Sequence, residues 1–252
     1  MNHGVLITAR LKSQRLPKKI IKNINEDNII TFLIKRLKFI FKKKRIVLIT
    51  SNSNQDKILE VISKSQQINI YKGDPLDVLM RMYKAAKKFK FKNFISCTAD
   101  NPFTDANYAK KLMSFHLRKK NDLTIMNGLP IGTFSYAVNT KGLKKVIDYK
   151  LSKNTETWIG YFVKNKNIKV GYFNTNFNYR SVSKKLRLTV DYTKDLKFIR
   201  EILKKTKKSQ PTLYEVISIL KKNPLLMKIN SNVHQKKISK PIFNKKYRSI
   251  SS

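Results

Sequence analysis

The chain has 252 residues and a formal charge of +40, from 55 Lys+Arg against 15 Asp+Glu; apolar residues make up 41%, with 14 Phe and 11 Tyr. That apolar and aromatic content excludes a disordered polyelectrolyte and suffices for the core of one α/β domain. No apolar run reaches the roughly 20 residues of a membrane-spanning helix, and a single cysteine, Cys97, excludes an intrachain disulfide.

The first half alternates strand and helix patterns. Residues 4–9 form a short apolar run, and 30–41 place Phe32, Leu33, Leu37 and Ile40 on one helical face. The β-branched run 45–50 predicts a buried parallel strand. A helix over 55–64, a strand over 68–71 and an amphipathic helix over 75–89 follow. In that helix Leu76, Leu79, Met80, Tyr83 and Ala86 repeat at helical spacing. Residues 93–98 predict a strand, and Asp105 caps a helix carrying Tyr108, Leu112 and Phe115. Residues 122–126 predict the next strand. Repeated βα units imply a mainly parallel sheet with helices on both faces.

The second half is less regular and predicts a small α+β region. Strands are expected at 134–139, 168–173 and 186–190. Helices are expected at 155–164, 195–205 and 212–220, the last entered through Pro211. One domain over 1–230 and a basic C-terminal tail over 231–252 are the expected organisation. The first residues lack the cationic start and long apolar stretch of a signal peptide. With the single cysteine, this makes a reducing cytoplasm the expected compartment.

The charge by itself suggests a polyanionic partner, and a nucleic-acid-binding protein is one reading of it. Lysine, however, recurs along the whole chain beside abundant Ile and Asn, with only 7 Gly and 7 Pro. That is a chain-wide bias rather than a basic patch, and no aromatic-plus-basic signature of an RNA-binding module accompanies it. Nucleic acid is the minor reading.

In open α/β sheets, ligands bind beyond the carboxyl ends of the strands. Four polar loops belong to that edge: the one after Ala9, residues 50–53, residues 73–77 and residues 98–102. The first reads Arg10-Leu11-Lys12-Ser13-Gln14-Arg15-Leu16-Pro17-Lys18-Lys19. Its cations and hydroxyl suit a triphosphate, which needs charge neutralisation and donors along its oxygens. The alternative is a solvated basic loop. The Gly-rich cradle of a Walker A loop is absent.

Asp100 follows a predicted buried strand at the same edge. By spacing alone it is equally a ligand for a hard cation and a turn or cap aspartate before Pro102. Asp191, at the end of the run 186–190, is a second such carboxylate or an N-cap for the next helix; Asp195 is the better cap or packing residue. Asp77 opens a strongly periodic helix, where the helix dipole alone favours an aspartate. His3, His116 and His234 are scattered without zinc spacing. His116 is expected at a helix end or surface, and Cys97 as a small core residue.

These segments together resemble the CMP-sugar synthetases, the cytidylyltransferases that activate 3-deoxy-manno-octulosonate and acylneuraminates, and most of all their spore-coat polysaccharide branch. The pattern A-R-x-x-S-x-R-L-P-x-K is met by Ala9, Arg10, Ser13, Arg15, Leu16, Pro17 and Lys19. Tyr71-Lys72-Gly73-Asp74 through Asp77-Val78-Leu79 and Met82-Tyr83 resembles the family's second segment. Thr98-Ala99-Asp100-Asn101-Pro102 resembles its T-A-D-x-P turn. Thr155-Glu156-Thr157-Trp158 with Tyr161-Phe162 resembles its E-H-V-T-x-Y helix. Leu186-Arg187-Leu188-Thr189-Val190-Asp191 with Asp195 resembles L-R-L-T-V-D-x-x-x-D. The resemblance covers almost the whole chain.

It implies a Rossmann-like nucleotidyltransferase that moves CMP from CTP to a small acidic sugar for surface polysaccharide biosynthesis, with Mg²⁺ as cofactor. It implies Arg10, Lys19, Asp100 and Asp191 as catalytic residues, with Asp100 and Asp191 on the metal. Ala9, Arg10, Ser13, Arg15, Lys19, Gly73, Asp74, Asp77 and Thr98 are the implied nucleotide contacts. Relatives often pair through their second half, so a homodimer is a further implication. Three positions depart from the family: Lys18 replaces a glycine, Ala137 stands where a Glu is expected, and Thr157 replaces a His. Those at 137 and 157 leave a catalytically degenerate nucleotide binder as the alternative.

Overall fold

The alternating pattern resolves into seven strands: β1 (His3–Thr8), β2 (Ile46–Ser51), β3 (Asn69–Gly73), β4 (Asn93–Thr98), β5 (Leu123–Asn127), β6 (Tyr136–Asn139) and β7 (Val170–Asn174). In this computed structural model, which describes residues 2–234, they form one sheet in the order β3-β2-β1-β4-β6-β5-β7. Strands β1–β4 pair in parallel, as do β5 and β7. Only β6 runs against its neighbours, inserted between β4 and β5. The tail expected over 231–252 lies outside the described residues from 235 onward.

Among the described residues, eight helices cover the sheet: α1 (Ile29–Lys38), α2 (Ile58–Ser65), α3 (Val78–Lys88), α4 (Ala106–Lys119), α5 (Thr140–Tyr149), α6 (Ile159–Val163), α7 (Thr193–Lys204) and α8 (Leu213–Lys222). Because side chains alternate along a strand, each central strand feeds two cores. Val5, Ile7, Leu48, Ile95 and Cys97 meet Phe32, Leu33, Leu112, Phe198 and Val216 on one face. Leu6, Val47, Ile49 and Phe94 meet Val78, Leu79, Met82, Val146 and Phe162 on the other. Each such side chain, taken fully from water, contributes about 1.5–3 kcal/mol before the entropy of ordering it. Burial pushes the Cys97 thiol up to about 12, in keeping with an inert core residue. No helix among the described residues is long and apolar enough to cross a membrane.

Three expectations are corrected and one unpredicted helix is added. Residues 186–190 form no strand; the segment lies beside the β5–β6 connection through one parallel bridge, Ile131 to Arg187. The helix expected over 155–164 is the five-residue α6. Helix α5 was not read from the sequence, since Gly142 and three β-branched residues, Thr140, Val146 and Ile147, lower its propensity. Packing of Leu143 and Val146 and the Asn139 cap, which accepts from Lys141 N and Gly142 N, sustain it. Finally, His116 is 1% exposed rather than superficial. Its Nε2 donates to Asn93 Oδ1 (3.1 Å), and its Nδ1 meets the Thr124 hydroxyl (2.8 Å).

The connection before β6 matters for the site. Gly132 takes φ +89°, and a Cβ there would lie 2.3 Å from Thr189 N. Only glycine lets the 186–190 segment pass so close. Leu188 N donates to Ile131 O (2.6 Å) and Val190 N to Asp100 O (2.9 Å). These two backbone bonds set Asp191 beside Asp100.

Candidate active site

The carboxyl ends of β1 to β4 gather the four predicted loops. The first loop is built on a buried carboxylate. Asp56 Oδ1 accepts from Leu11 N (2.8 Å), while Oδ2 accepts from Thr50 Oγ1 (3.2 Å) and from Ser51 Oγ. Ala9 is buried and donates its N–H to Ile49 O (3.0 Å), and Leu11 and Leu16 anchor the loop in the core. Lys18 adopts φ 53°, ψ 30°, a left-handed turn into the 3-10 turn Lys19–Ile21. This is the position where the family has glycine, and the conformation explains that preference. The turn buries Ile20 and sends the Lys19 side chain inward.

Lys19 Nζ lies 2.6 Å from Asp100 Oδ2 and 2.8 Å from Asp191 Oδ1. Arg15 Nη2 reaches the same Asp191 oxygen at 2.8 Å, and its guanidinium lies 5.1 Å from the Tyr192 ring centroid. From beneath, Arg187 Nη2 donates to Asp191 Oδ2 (3.2 Å). Burial opposes the charged form of Lys19, but Asp100 and Asp191 outweigh it and hold the ammonium above the usual lysine value. Burial likewise opposes the charged form of Asp191, and Lys19, Arg15 and Arg187 hold its carboxyl below the usual range.

Asp191 is not the cap of α7. The carboxylate of Asp195 takes that role, accepting at Oδ2 from Asp191 N and Tyr192 N, both at 3.0 Å. It also receives Arg187 Nε at Oδ1 (3.0 Å) and Arg187 Nη2 at Oδ2 (3.1 Å), with Asn230 Nδ2 at Oδ1 (3.0 Å). The expectation that Asp195 serves packing and capping therefore holds.

The third loop forms a second group. Asp74 Oδ1 accepts from Leu76 N (2.7 Å) and Asp77 N (3.1 Å), and these two amides hold its carboxyl below the ordinary aspartate value. Asp77 caps α3 through Met80 N (3.0 Å), accepts from Thr155 Oγ1 (3.1 Å) and pairs with Lys150 Nζ (2.6 Å). Both of its oxygens are thus engaged within the protein, where they shape the loop. Gly73 leaves room for Arg81, whose Cγ would stand 2.9 Å from an added Cβ. Arg81 is buried, donates to Asp74 O, and has its pKa lowered to about 10 by burial and by Arg10.

Arg10 belongs to this second group. Its guanidinium donates to Pro75 O and pairs with Glu156, so it stands apart from the Lys19 cluster with which it was grouped from sequence. Thr98 Oγ1 accepts from Asn101 Nδ2 (2.8 Å) at the end of β4, and Ser13 is partly exposed on the first loop.

Sequence reasoning missed Asp56, Arg81, Glu156 and Arg187 as site residues. Arg81 carried a signal: it falls on the apolar stripe of α3, with Val78, Met82 and Ala85. Arg187 stood within a recognised segment, four residues before Asp191. Glu156 likewise stood within a recognised segment, but its partner Arg10 is distant in the chain, as is Leu11 from Asp56. Of the departures, Ala137 is 0% exposed and packs in the core. A glutamate there would bury a charge. Thr157 lies in the turn before α6, next to Glu156.

A mostly parallel sheet, a cationic loop after its first strand and two carboxylates across from that loop define a nucleotidyltransferase. Residues 4–232 match the family described as Cytidylyltransferase, and the chain belongs to that family. It is 25% identical over 227 residues to the spore coat polysaccharide biosynthesis protein SpsF of Bacillus subtilis, covering 87% of this chain and 94% of that one. A cytidylyltransferase structure from Leptospira borgpetersenii superposes with a TM-score of 0.83 at 23% identity, over 94% of this chain and 100% of that one. The structure of CMP:2-keto-3-deoxy-manno-octonic acid synthetase complexed with CTP superposes at 0.64 with 12% identity, over 81% of this chain and 99% of that one.

Proposed function

We propose that the protein transfers CMP from CTP to a small acidic sugar, of nonulosonate or 3-deoxy-octulosonate type, for surface polysaccharide biosynthesis. The observation that carries the reading is the convergence of Lys19 with Asp100 and Asp191 at the strand-end edge. A sugar hydroxyl oxygen attacks the α-phosphorus in line. The new oxygen–phosphorus bond forms as the bond to the bridging oxygen breaks, pyrophosphate leaves with the electron pair, and the hydroxyl proton passes to solvent. Positioning and charge stabilisation carry such a transfer.

Lys19 and Arg15 supply the cations for the triphosphate, with Ser13 and the Ala9 backbone beside it. Arg10, tied to Pro75 and Glu156, holds the first loop against residues 73–77, where Gly73 and Asp74 shape the nucleoside side. Among the described residues no three His, Cys, Asp or Glu side chains form a metal cage. Asp100 and Asp191 instead share one cation, the Lys19 ammonium, which fits a hard ion that keeps water and substrate phosphate as its other ligands. Mg²⁺ bound there supplies charge that polarises the α-phosphate.

The test is pyrophosphate release from CTP and Mg²⁺ with a panel of sugar acids. No release, together with no thermal shift on adding CTP and Mg²⁺, would sink the reading. Binding of CTP without turnover on any acceptor would favour the degenerate alternative.

A further inference from the structure

We propose that Lys19 is an internal counter-cation that keeps the position between Asp100 and Asp191 filled in the ligand-free protein, so that divalent metal and nucleotide bind as mutually dependent partners. The inference rests on the nucleotidyl-transfer reading above. The Lys19 side chain is 11% exposed, Asp191 8% and Asp100 24%. At such burial an uncompensated charge is costly, and the cost falls most on Lys19, which pairs with Asp100 and Asp191 together, whereas Asp191 also has Arg15 and Arg187.

Consider each ligand by itself. A divalent ion taking the carboxylate oxygens must expel an ammonium that then has no anion, with Arg15 and Arg187 already at Asp191. A nucleotide drawing Lys19 away brings phosphate charge towards two carboxylates stripped of their shared cation. When both arrive, the metal answers the carboxylates and the ammonium answers the phosphates. Neither species then carries the penalty that the other removes, and linkage makes this coupling reciprocal.

The local architecture separates the cation that can move from the one that cannot. Lys19 carries a compact head on a four-carbon stem. Its backbone stays in place through the 3-10 turn and buried Ile20. Arg187 is held by its fork on Asp195 (3.0 and 3.1 Å), so Asp191 keeps this one fixed partner in either state.

The test is Mn²⁺ binding without acceptor sugar, read by the electron paramagnetic resonance of free Mn²⁺, in the full chain and in Lys19→Met. Mn²⁺ alone is expected to bind Lys19→Met at least about tenfold more tightly than the parent. Lys18→Met, the same charge change on an exposed neighbour, is expected to shift affinity less than about twofold, as a screened surface charge does. A second measurement needs no variant: in the parent, thermal unfolding should shift with CTP plus Mn²⁺ by clearly more than the shifts with CTP alone and Mn²⁺ alone combined.

Equal Mn²⁺ affinity in parent and Lys19→Met, or additive thermal shifts, would overturn the counter-cation role and leave the nucleotidyl-transfer reading standing. Absence of any shift with CTP and Mn²⁺ together would overturn both.

Discussion

The Asp191 amide donates to the Asp195 carboxylate at 3.0 Å, so the residue that caps α7 also fixes the residue that faces Lys19. Arg187 reinforces this, reaching Asp195 with Nε and both carboxylates with Nη2. Removing Asp195 takes away the carboxylate that accepts from Nε and Nη2 of this buried guanidinium. Asp195→Ala is therefore expected to cost about 3–5 kcal/mol of stability, the range for breaking a buried ion pair. Urea unfolding measures it, and a loss under about 1 kcal/mol would show that the network contributes little.

Asp100 has the opposite profile. It is partly exposed and contacts Lys19 from a loop, so Asp100→Asn should leave the unfolding midpoint nearly unchanged. Turnover is expected to fall by about 10²–10³-fold, since several kcal/mol of transition-state charge stabilisation depend on that carboxylate. Pyrophosphate release at saturating CTP is the readout. Near-normal rates would remove Asp100 from the mechanism.

Lys18 sits at φ 53°, where an L side chain meets its own carbonyl. Lys18→Gly is expected to stabilise the fold by about 1 kcal/mol through relief of that contact, less the entropy glycine adds to the unfolded chain. Differential scanning calorimetry reads the effect as a raised melting temperature. A lowered one would mean that the side chain makes contacts outweighing the strain.

His116 predicts an acid limb in stability. Burial pushes its pKa from the model-peptide value of 6.5 down to about 4, against a smaller opposing pull from Asp122. As pH falls through 6.5 the unfolded chain takes up a proton that the folded chain refuses until about pH 4. Stability is thus intact above pH 6.5 and declines across this window by about 3 kcal/mol from this group. Denaturant midpoints at pH 7.5 and 5 should differ in the parent and differ less in His116→Gln. Identical pH dependence in the two would reject the assignment.

How much of this was legible in the chain depends on the distance over which each signal acts. Strand β4 was predicted at its observed bounds, and the β1, β2 and α3 patterns were read within a few residues, because their apolar spacing is set by local geometry. The Asp105 cap was also readable, since its acceptor and donor lie three residues apart. Residues 186–190 have the apolar alternation of a strand, but the segment meets the β5–β6 connection at one bridge instead of joining the sheet. Helix α5 has weak local propensity and forms because α3 and the sheet bury its stripe.

The site divides in the same way. The order of residues along the chain determined that cations follow the first strand and that Asp100 follows β4. It could not determine which cation meets which carboxylate, since those pairs are separated by 81 to 176 residues. Only the folded arrangement, with Gly132 admitting the 186–190 segment and Asp56 pinning Leu11, brought Lys19 to both aspartates and turned Arg10 towards Pro75 and Glu156. Local spacing encodes which groups reach the edge; burial and backbone hydrogen bonds between distant segments decide how their charges pair.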